Sequence, residues 1–145
     1  MNNGYTGIVL DDLNRKHLQR LAEAAKQFLK DFLDIDVSTW ETKGHHMTLH
    51  LGPPTELEKE LIGFAFIITV DAIGFNATTA AYRVSDVHKA QTLPMVKYPV
   101  EHKSPHITML VNRGAGGKPK DANTINNWVL LPEPMTLIGH LQHVI

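Results

Sequence analysis

The clearest pattern in the chain is a stripe of apolar residues that recur every three or four positions between Leu18 and Leu33. The stripe consists of Leu18, Leu21, Ala22, Ala25, Phe28, Leu29, Phe32 and Leu33. Because an α-helix has 3.6 residues per turn, this spacing places them on one helical face. Asp11 and Asp12 offer an N-cap, so the sequence predicts a long amphipathic helix that ends near Asp34.

The other apolar residues fall mostly in short segments bounded by glycine, proline or asparagine, which is typical of β-strands. Strands are predicted at residues 4–10, 37–40, 45–51, 63–73, 78–85, 106–111 and 135–145, and short helices at residues 55–61 and 121–128. Thr55 and Glu58 have the spacing of a capping box. Segment 89–103 stays ambiguous, because Pro94 and Pro99 limit strand pairing. This order of elements predicts an α+β fold in a single domain, residues 1–145.

Composition narrows the classes of function. The 145 residues are 43% hydrophobic and 20% charged, as in a globular protein that builds its own core. A formal net charge of −1 gives no overall positive field, so no long nucleic acid is expected, whereas a small phosphate ligand remains open. The absence of cysteine excludes disulfides and thiolate metal sites.

Targeting signals do not stand out either. The first residues lack a signal-peptide pattern, and the longest apolar run, residues 62–70, is too short to span a bilayer. We therefore expect a cytoplasmic protein without a membrane partner. Its oligomeric state stays unknown at this point.

A His-apolar-Thr-apolar motif occurs twice, at positions 46–49 and 106–109. Side chains alternate between the faces of a strand, so each His and the Thr two positions later point the same way. The intervening Met47, Leu49, Ile107 and Met109 then point into the core. If the two strands lie side by side, one cleft receives the motif side chains, His46, Thr48, His106 and Thr108.

Two imidazoles and two hydroxyls suit the cleavage of a phosphodiester. Histidine titrates near neutral pH, so one ring can accept a proton from an attacking hydroxyl while the other protonates the leaving oxygen. The hydroxyls can donate to non-bridging phosphate oxygens. With nine histidines in the chain, purely structural histidines are the competing interpretation. The apolar flanks, the strand context and the half-chain spacing together favour the catalytic one.

These features resemble the 2H phosphoesterase superfamily, which carries one His-x-Thr/Ser motif in each of two lobes. The resemblance covers essentially the whole chain. Within the superfamily, the chain is most similar to the small bacteriophage phosphodiesterases that oppose CBASS immunity. Residues 4–7, the doublet His45 and His46 with Thr48, and the stretch from Pro105 through the glycines of 116–119 to Asn123 carry this likeness.

The resemblance implies two pseudo-symmetric lobes whose antiparallel sheets line a central cleft, with helices packed outside. It also implies cofactor-free, metal-independent cleavage of 3′–5′ linkages in cyclic di- and trinucleotide immune signals by 2′-hydroxyl attack, in the host cytoplasm. His46, Thr48, His106 and Thr108 carry over as the catalytic residues. Tyr5 and Glu133 correspond to accessory substrate-binding positions. The chain departs from the family in lacking a C-terminal tryptophan for base stacking.

Several nearby residues have open roles. His45 is predicted to face the other side of the strand and to be structural, so with His46 and His50 it does not form a metal site. His50 either lines the cleft or orients another side chain. The basic, glycine-containing loop 113–120 either closes over phosphate or is an ordinary surface loop. The candidate substrate-binding residues are Tyr5, His50, Arg113, Lys118 and Glu133.

Three other functions remain in competition. The same four residues would serve an enzyme that acts on RNA ends or 2′,3′-cyclic phosphates. A sponge that binds cyclic nucleotides without turnover belongs to a different class, although binding alone does not require a paired acid and base. A structural protein with incidental histidines is the third.

Overall fold

The fold is built from antiparallel strands and is described by a computed structural model at residues 4–11, 15–90 and 105–145. The strands in these ranges are β1 (Tyr5–Leu10), β2 (Glu41–Thr42), β3 (His46–Leu51), β4 (Ala65–Phe75), β5 (Thr79–Lys89), β6 (His106–Val111) and β7 (Asn127–Val144). The α-helices are α1 (Arg15–Leu33) and α2 (Glu56–Leu61). Short 3₁₀ helices occupy Arg113–Ala115 and Pro119–Thr124.

The strands are arranged in the order β2-β6-β3-β1-β7-β4-β5, and β5 also pairs with β6. Six strands therefore close into an antiparallel barrel, in the order β6, β3, β1, β7, β4 and β5. The short β2 pairs with β6 along the same edge as β3, at the other end of β6. The long β7 bridges β1 and β4. The α+β prediction is confirmed at this level.

The inward faces of the strands and the described side chains in the stripe of α1 share one hydrophobic core. Met47, Leu49, Ile107 and Met109 are all buried, as strand alternation predicts. Helix α1 contributes a buried group made of Leu21, Ala22, Ala25 and Leu29. The Tyr82 hydroxyl donates to the carbonyl of Leu21 at 3.1 Å, which ties β5 to the helix.

Local sequence signals place several elements correctly. Helix α1 ends at Leu33, as predicted. Asp12, one of the two predicted N-cap residues, lies outside the described residues. Helix α2 begins after Thr55, and the predicted capping box is present, because the Thr55 side chain accepts from the Glu58 backbone and the Glu58 side chain accepts from the Thr55 backbone.

Three predictions of secondary structure are wrong. Residues 37–40 contain a turn instead of a strand. The helix predicted at 121–128 is replaced by a 3₁₀ helix that ends at Thr124 and by the start of β7 at Asn127. Strand β7 begins earlier than predicted because β4 extends far enough to pair with residues 127–130 as well as with 135–140. Segment 89–103 lies mostly outside the described residues.

In the part of the chain that the structure describes, no helix has the length and the apolar character that a membrane span requires.

Candidate functional site

The two repeated motifs lie on neighbouring strands. Strands β3 and β6 run antiparallel, with Met47 opposite Ile107. Both of these residues are fully buried, so the flanking His46, Thr48, His106 and Thr108 lie on the opposite, outer face of the sheet, where they are half-buried. Strand alternation, read from the sequence, therefore predicts the orientation of both motifs correctly.

A cavity of about 580 Å³ lies over this face. The structure brings the four motif side chains and His50 together in its lining. The described lining residues are Lys43, His45, His46, Thr48, His50, Leu51, His106, Thr108, Pro119, Lys120 and Asn123. Its size is in the range of sites that hold small organic ligands.

The ring of His46 contacts two neighbouring rings, those of Tyr5 and His45. Its ring stacks on Tyr5, with centroids 4.2 Å apart and planes inclined by 20°. Burial lowers the pKa of His46 to about 4, and charge interactions with His45, His106 and Lys43 act in the same direction. His46 is therefore neutral at physiological pH, which suits a proton acceptor.

Gly7 provides the space for the Tyr5 ring on this face. A Cβ atom at Gly7 would lie 2.6 Å from the Met47 carbonyl oxygen and 3.3 Å from Cδ2 of Tyr5. Tyr5 sits on the same strand as Gly7, two positions earlier, and its ring extends along the strand towards His46. Tyr5 thus contacts a motif histidine instead of lining the cavity directly, and burial raises the pKa of its phenol.

The prediction that His45 faces away from His46 is wrong. The Nδ1 atoms of the two rings lie 3.0 Å apart, and both rings line the cavity. Strand alternation does not apply to His45, because β3 begins only at His46 and the chain before it turns at Gly44, whose φ is +91°. The Gly44 backbone N–H donates to the Thr108 carbonyl at 2.9 Å, which anchors this turn to the second motif.

His50 lies in the cavity wall and pairs with a carboxylate behind it. Its Nε2 is 2.7 Å from Oε1 of Glu58, and its Nδ1 is 2.9 Å from the carbonyl oxygen of Leu51. Glu58 is buried, which favours its neutral form, but the hydrogen bonds from His50 and the Thr55 backbone outweigh this and lower its pKa. Of the two roles left open for His50, the structure supports a place in the lining.

Sequence reasoning did not single out Lys43, Lys120 or Asn123. Lys120 entered only as part of the basic loop 113–120, and Asn123 only as the end of the stretch that carries the family likeness. Lys43 reaches the cavity from the turn before β3, and the other two from the 3₁₀ helix after β6. No local motif singles them out, because only the tertiary fold brings the two segments over the same strands. No Asp or Glu is found among the described residues that line the cavity, although Lys43 pairs with Glu41 at 2.8 Å behind the wall.

Besides Tyr5, three predicted substrate-binding residues lie outside the described cavity lining, namely Arg113, Lys118 and Glu133. The Nε atom of Arg113 donates to Oε2 of Glu41 at 2.7 Å, and hydrogen bonds from Lys43 and Arg113 lower the pKa of Glu41 to about 2. Lys118 is exposed at the start of a 3₁₀ helix, and its backbone N–H donates to Asp121. Glu133 is exposed on β7. From the basic loop, only Pro119 and Lys120 reach the cavity.

Within residues 4–11, 15–90 and 105–145, no group of three or more His, Asp or Glu side chains is arranged to hold a metal ion. A comparison with protein-family models finds no match to this chain, and neither does a comparison with curated proteins.

Proposed function

We propose that this protein is a 2H-type phosphodiesterase that cleaves 3′–5′ linkages of cyclic di- or trinucleotide immune signals and so blocks CBASS-type anti-phage defence. One observation carries the proposal: two His-x-Thr motifs, 60 residues apart in the chain, lie on neighbouring antiparallel strands and share one cavity. The closed antiparallel sheet is compatible with a 2H phosphoesterase fold, in which each motif strand belongs to one of two related lobes.

The charge of the cavity supports a phosphate ligand. Lys43 and Lys120 line it together with four histidines, and the described lining includes no acidic side chain. Cationic side chains bind phosphate oxygens through charge-assisted hydrogen bonds. The host cytoplasm is the proposed place of action, since the proposed substrates are intracellular signals.

A neighbouring cavity of about 350 Å³ supports a substrate larger than a mononucleotide. It is lined by Val9, Leu10, Asp11, His45, His140, Gln142 and Val144. Its lining shares His45 with the main cavity, so the two cavities adjoin at that ring. A cyclic oligonucleotide could place one linkage between the motif histidines and a second nucleotide towards this side.

The proposed reaction assigns a role to each motif histidine. Neutral His46 accepts the proton of a ribose 2′-hydroxyl through Nε2, because its Nδ1 is engaged with His45. The 2′-oxygen attacks phosphorus, the bond from phosphorus to the 5′-oxygen breaks, and His106 donates a proton to that oxygen. The products are a 2′,3′-cyclic phosphate and a free 5′-hydroxyl. Thr48 and Thr108 donate to the non-bridging oxygens.

The test is incubation with a panel of cyclic di- and trinucleotides, with the products separated by chromatography. The panel includes 2′–5′-linked rings and RNA that ends in a 2′,3′-cyclic phosphate. Cleavage of 3′–5′-linked rings by the wild type, and not by H46A/H106A, supports the proposal. Cleavage of the RNA end alone favours the RNA-processing alternative, and binding without a linear product favours the sponge. Either outcome overturns the proposal.

A further inference from the structure

The cavity of about 350 Å³ lies on the same outer face of the sheet as the motif residues, on the far side of β1. Val9 of β1 is paired with His46 on one side and with His140 of β7 on the other, so these three residues form one row across the sheet. Because adjacent strands lie about 4.8 Å apart, the Cα atoms of the two histidines are roughly 10 Å apart. One small ligand can therefore reach both cavities.

The described lining of this second cavity combines apolar surface with polar groups. Val9 and Val144 are half-buried and supply the apolar part. His140 and Gln142 point outward from β7, two positions apart, and within the described residues neither side chain makes a hydrogen bond. An imidazole and an amide can each donate and accept. Apolar surface with a few polar groups at its edge suits a flat heterocycle.

Asp11 distinguishes the second cavity from the main one. It follows the last residue of β1, where its backbone N–H donates to the Ile138 carbonyl at 3.1 Å, and it lines the second cavity. The described lining of the main cavity includes no acidic side chain. A carboxylate repels phosphate and can only accept hydrogen bonds, at about four lone-pair positions. The second cavity therefore suits a group that carries N–H donors instead of a second phosphate.

The four bases differ in what they offer to a carboxylate. Guanine alone presents two adjacent donors, N1–H and the N2 amino group, which a carboxylate accepts as a bidentate pair. Adenine has a bare N1 beside its amino group, cytosine has a bare N3, and the N–H of uracil lies between two carbonyl oxygens. The guanine O6 adjoins N1, so it can accept from an amide or imidazole N–H at the edge of the same cavity.

We infer that the second cavity binds a guanine base of the substrate. Asp11 accepts from N1–H and the N2 amino group, and Gln142, with His140 beside it, donates to O6. This inference rests on the proposed function and specifies its substrate class, a cyclic di- or trinucleotide with guanine next to the cleaved linkage. Asp11 and Gln142 determine specificity and take no part in the proton transfers.

Binding of two uncleavable rings that differ only in their bases tests the preference. Calorimetry compares the 2′-deoxy cyclic dinucleotide of guanine with that of adenine, which has the same number of phosphates. We expect the wild type to bind the guanine ring roughly tenfold to a hundredfold more tightly, as a bidentate pair discriminates between bases. D11N replaces one acceptor oxygen by a donor that faces the donors of guanine, so the preference should fall to within about threefold.

Asp86 provides a matched control, because it pairs with His88 at 3.0 Å and belongs to the described lining of neither cavity. D86N makes the same chemical change as D11N and should keep the preference for guanine. Circular dichroism checks that both variants fold. Q142A removes the donor to O6 and leaves the carboxylate, so it should reduce the preference less than D11N does.

The position of the site can be tested on the wild type alone. In ¹H–¹⁵N spectra, the 2′-deoxy guanine ring should shift the side-chain amide signals of Gln142 more than the adenine ring does. Bound guanine that leaves these signals unmoved overturns the inference, even if D11N does not fold.

The remaining outcomes separate the inference from the proposed function. Equal affinity of the wild type for the two rings, or a guanine preference that survives in folded D11N, overturns the inference and leaves the proposed reaction intact. Guanine-selective binding without cleavage of any ribose ring overturns the proposed reaction and leaves the guanine site intact. A wild-type protein that binds neither ring overturns both.

Discussion

His45 and His46 meet through their Nδ1 atoms, 3.0 Å apart. Only one hydrogen can lie between the two nitrogens, so one ring donates and the other accepts. If His46 donates, its Nε2 is a bare acceptor in the neutral state and can take a proton from a substrate hydroxyl. The neighbouring ring then orients His46 much as a carboxylate orients the histidine of a hydrolase triad.

The first prediction concerns the pH dependence of cleavage. His46 must be neutral to act as a base, and its pKa is lowered to about 4. Its neutral fraction is therefore lost only as the pH falls through about 4, instead of near the ordinary histidine value. We expect kcat/KM for a cyclic dinucleotide to hold down to about pH 5 and to fall below about pH 4.

The H45Q variant provides the control for this profile. It removes one of the charge interactions that lower the pKa of His46, while burial, the largest cause, remains. The acidic limb should move to higher pH in H45Q and still lie below the ordinary histidine range. An acidic limb near pH 6.5 in the wild type would contradict the assignment of His46 as the base.

The motif residues should differ in how much each contributes. H46A and H106A each remove a proton carrier, so we expect no measurable turnover. T48A and T108A each remove one oriented hydroxyl, and kcat should fall by about 10² to 10³. Steady-state kinetics on the four variants checks this order, and circular dichroism checks that each variant folds. H88Q serves as the control, because His88 does not belong to the described cavity lining. Wild-type rates in either histidine variant would refute the two-histidine mechanism.

Sequence alone predicts those features of the site that depend on neighbouring residues, and it fails for those that depend on the tertiary fold. Strand alternation fixes the common face of His46 and Thr48, because it needs only the backbone of one strand. The position of His45 does not follow from alternation, since the turn at Gly44 has a positive φ that no periodicity reveals. Lys120 enters the cavity only through the tertiary fold.

The same distinction applies to the fold. Helix α1 and the capping box of α2 follow from spacings of three and four residues, which the sequence shows directly. The early start of β7 at Asn127 depends on pairing with β4, some 50 residues earlier in the chain. Apolar periodicity within residues 121–128 carries no information on that partner, so a helix is predicted where a strand begins.

The stack of Tyr5 on His46 leads to the third prediction. The ring centroids are 4.2 Å apart, so the aromatic face limits the motion of the imidazole and contributes to its burial. Y5F retains the ring and should keep kcat within about a factor of two to three, whereas Y5L should lower it by about tenfold and move the acidic limb to higher pH. Kinetics over the same pH series measures both effects. A loss in Y5F as large as in Y5L would instead indicate a role for the phenolic hydroxyl.

The fourth prediction is that cleavage persists in excess chelator. The two imidazoles can move both protons of the reaction. The Thr48 and Thr108 hydroxyls can donate to the phosphate oxygens, and the lysines can balance the phosphate charge, so the lining contains the groups that the proposed chemistry needs. We expect the protein to cleave at the same rate before and after dialysis against EDTA, and with EDTA present in the assay. Loss of activity in EDTA that a divalent metal restores would refute a metal-independent reaction.

The last prediction identifies the nucleophile. A neutral imidazole such as His46 activates a hydroxyl only modestly, so a nucleophile already held beside the phosphorus atom has a large advantage over water. A ribose 2′-hydroxyl next to a 3′-phosphodiester is such a group, and its attack produces a 2′,3′-cyclic phosphate before any linear monophosphate appears. We therefore expect mass spectrometry of early time points to show the cyclic phosphate, and a ring with 2′-deoxy or 2′-O-methyl sugars to resist cleavage while it still binds. Calorimetry on H46A should show that this variant still binds the ribose ring although it does not cleave it. Cleavage of the 2′-deoxy ring at a rate comparable to the ribose ring would mean that water attacks, because no internal nucleophile would then be present.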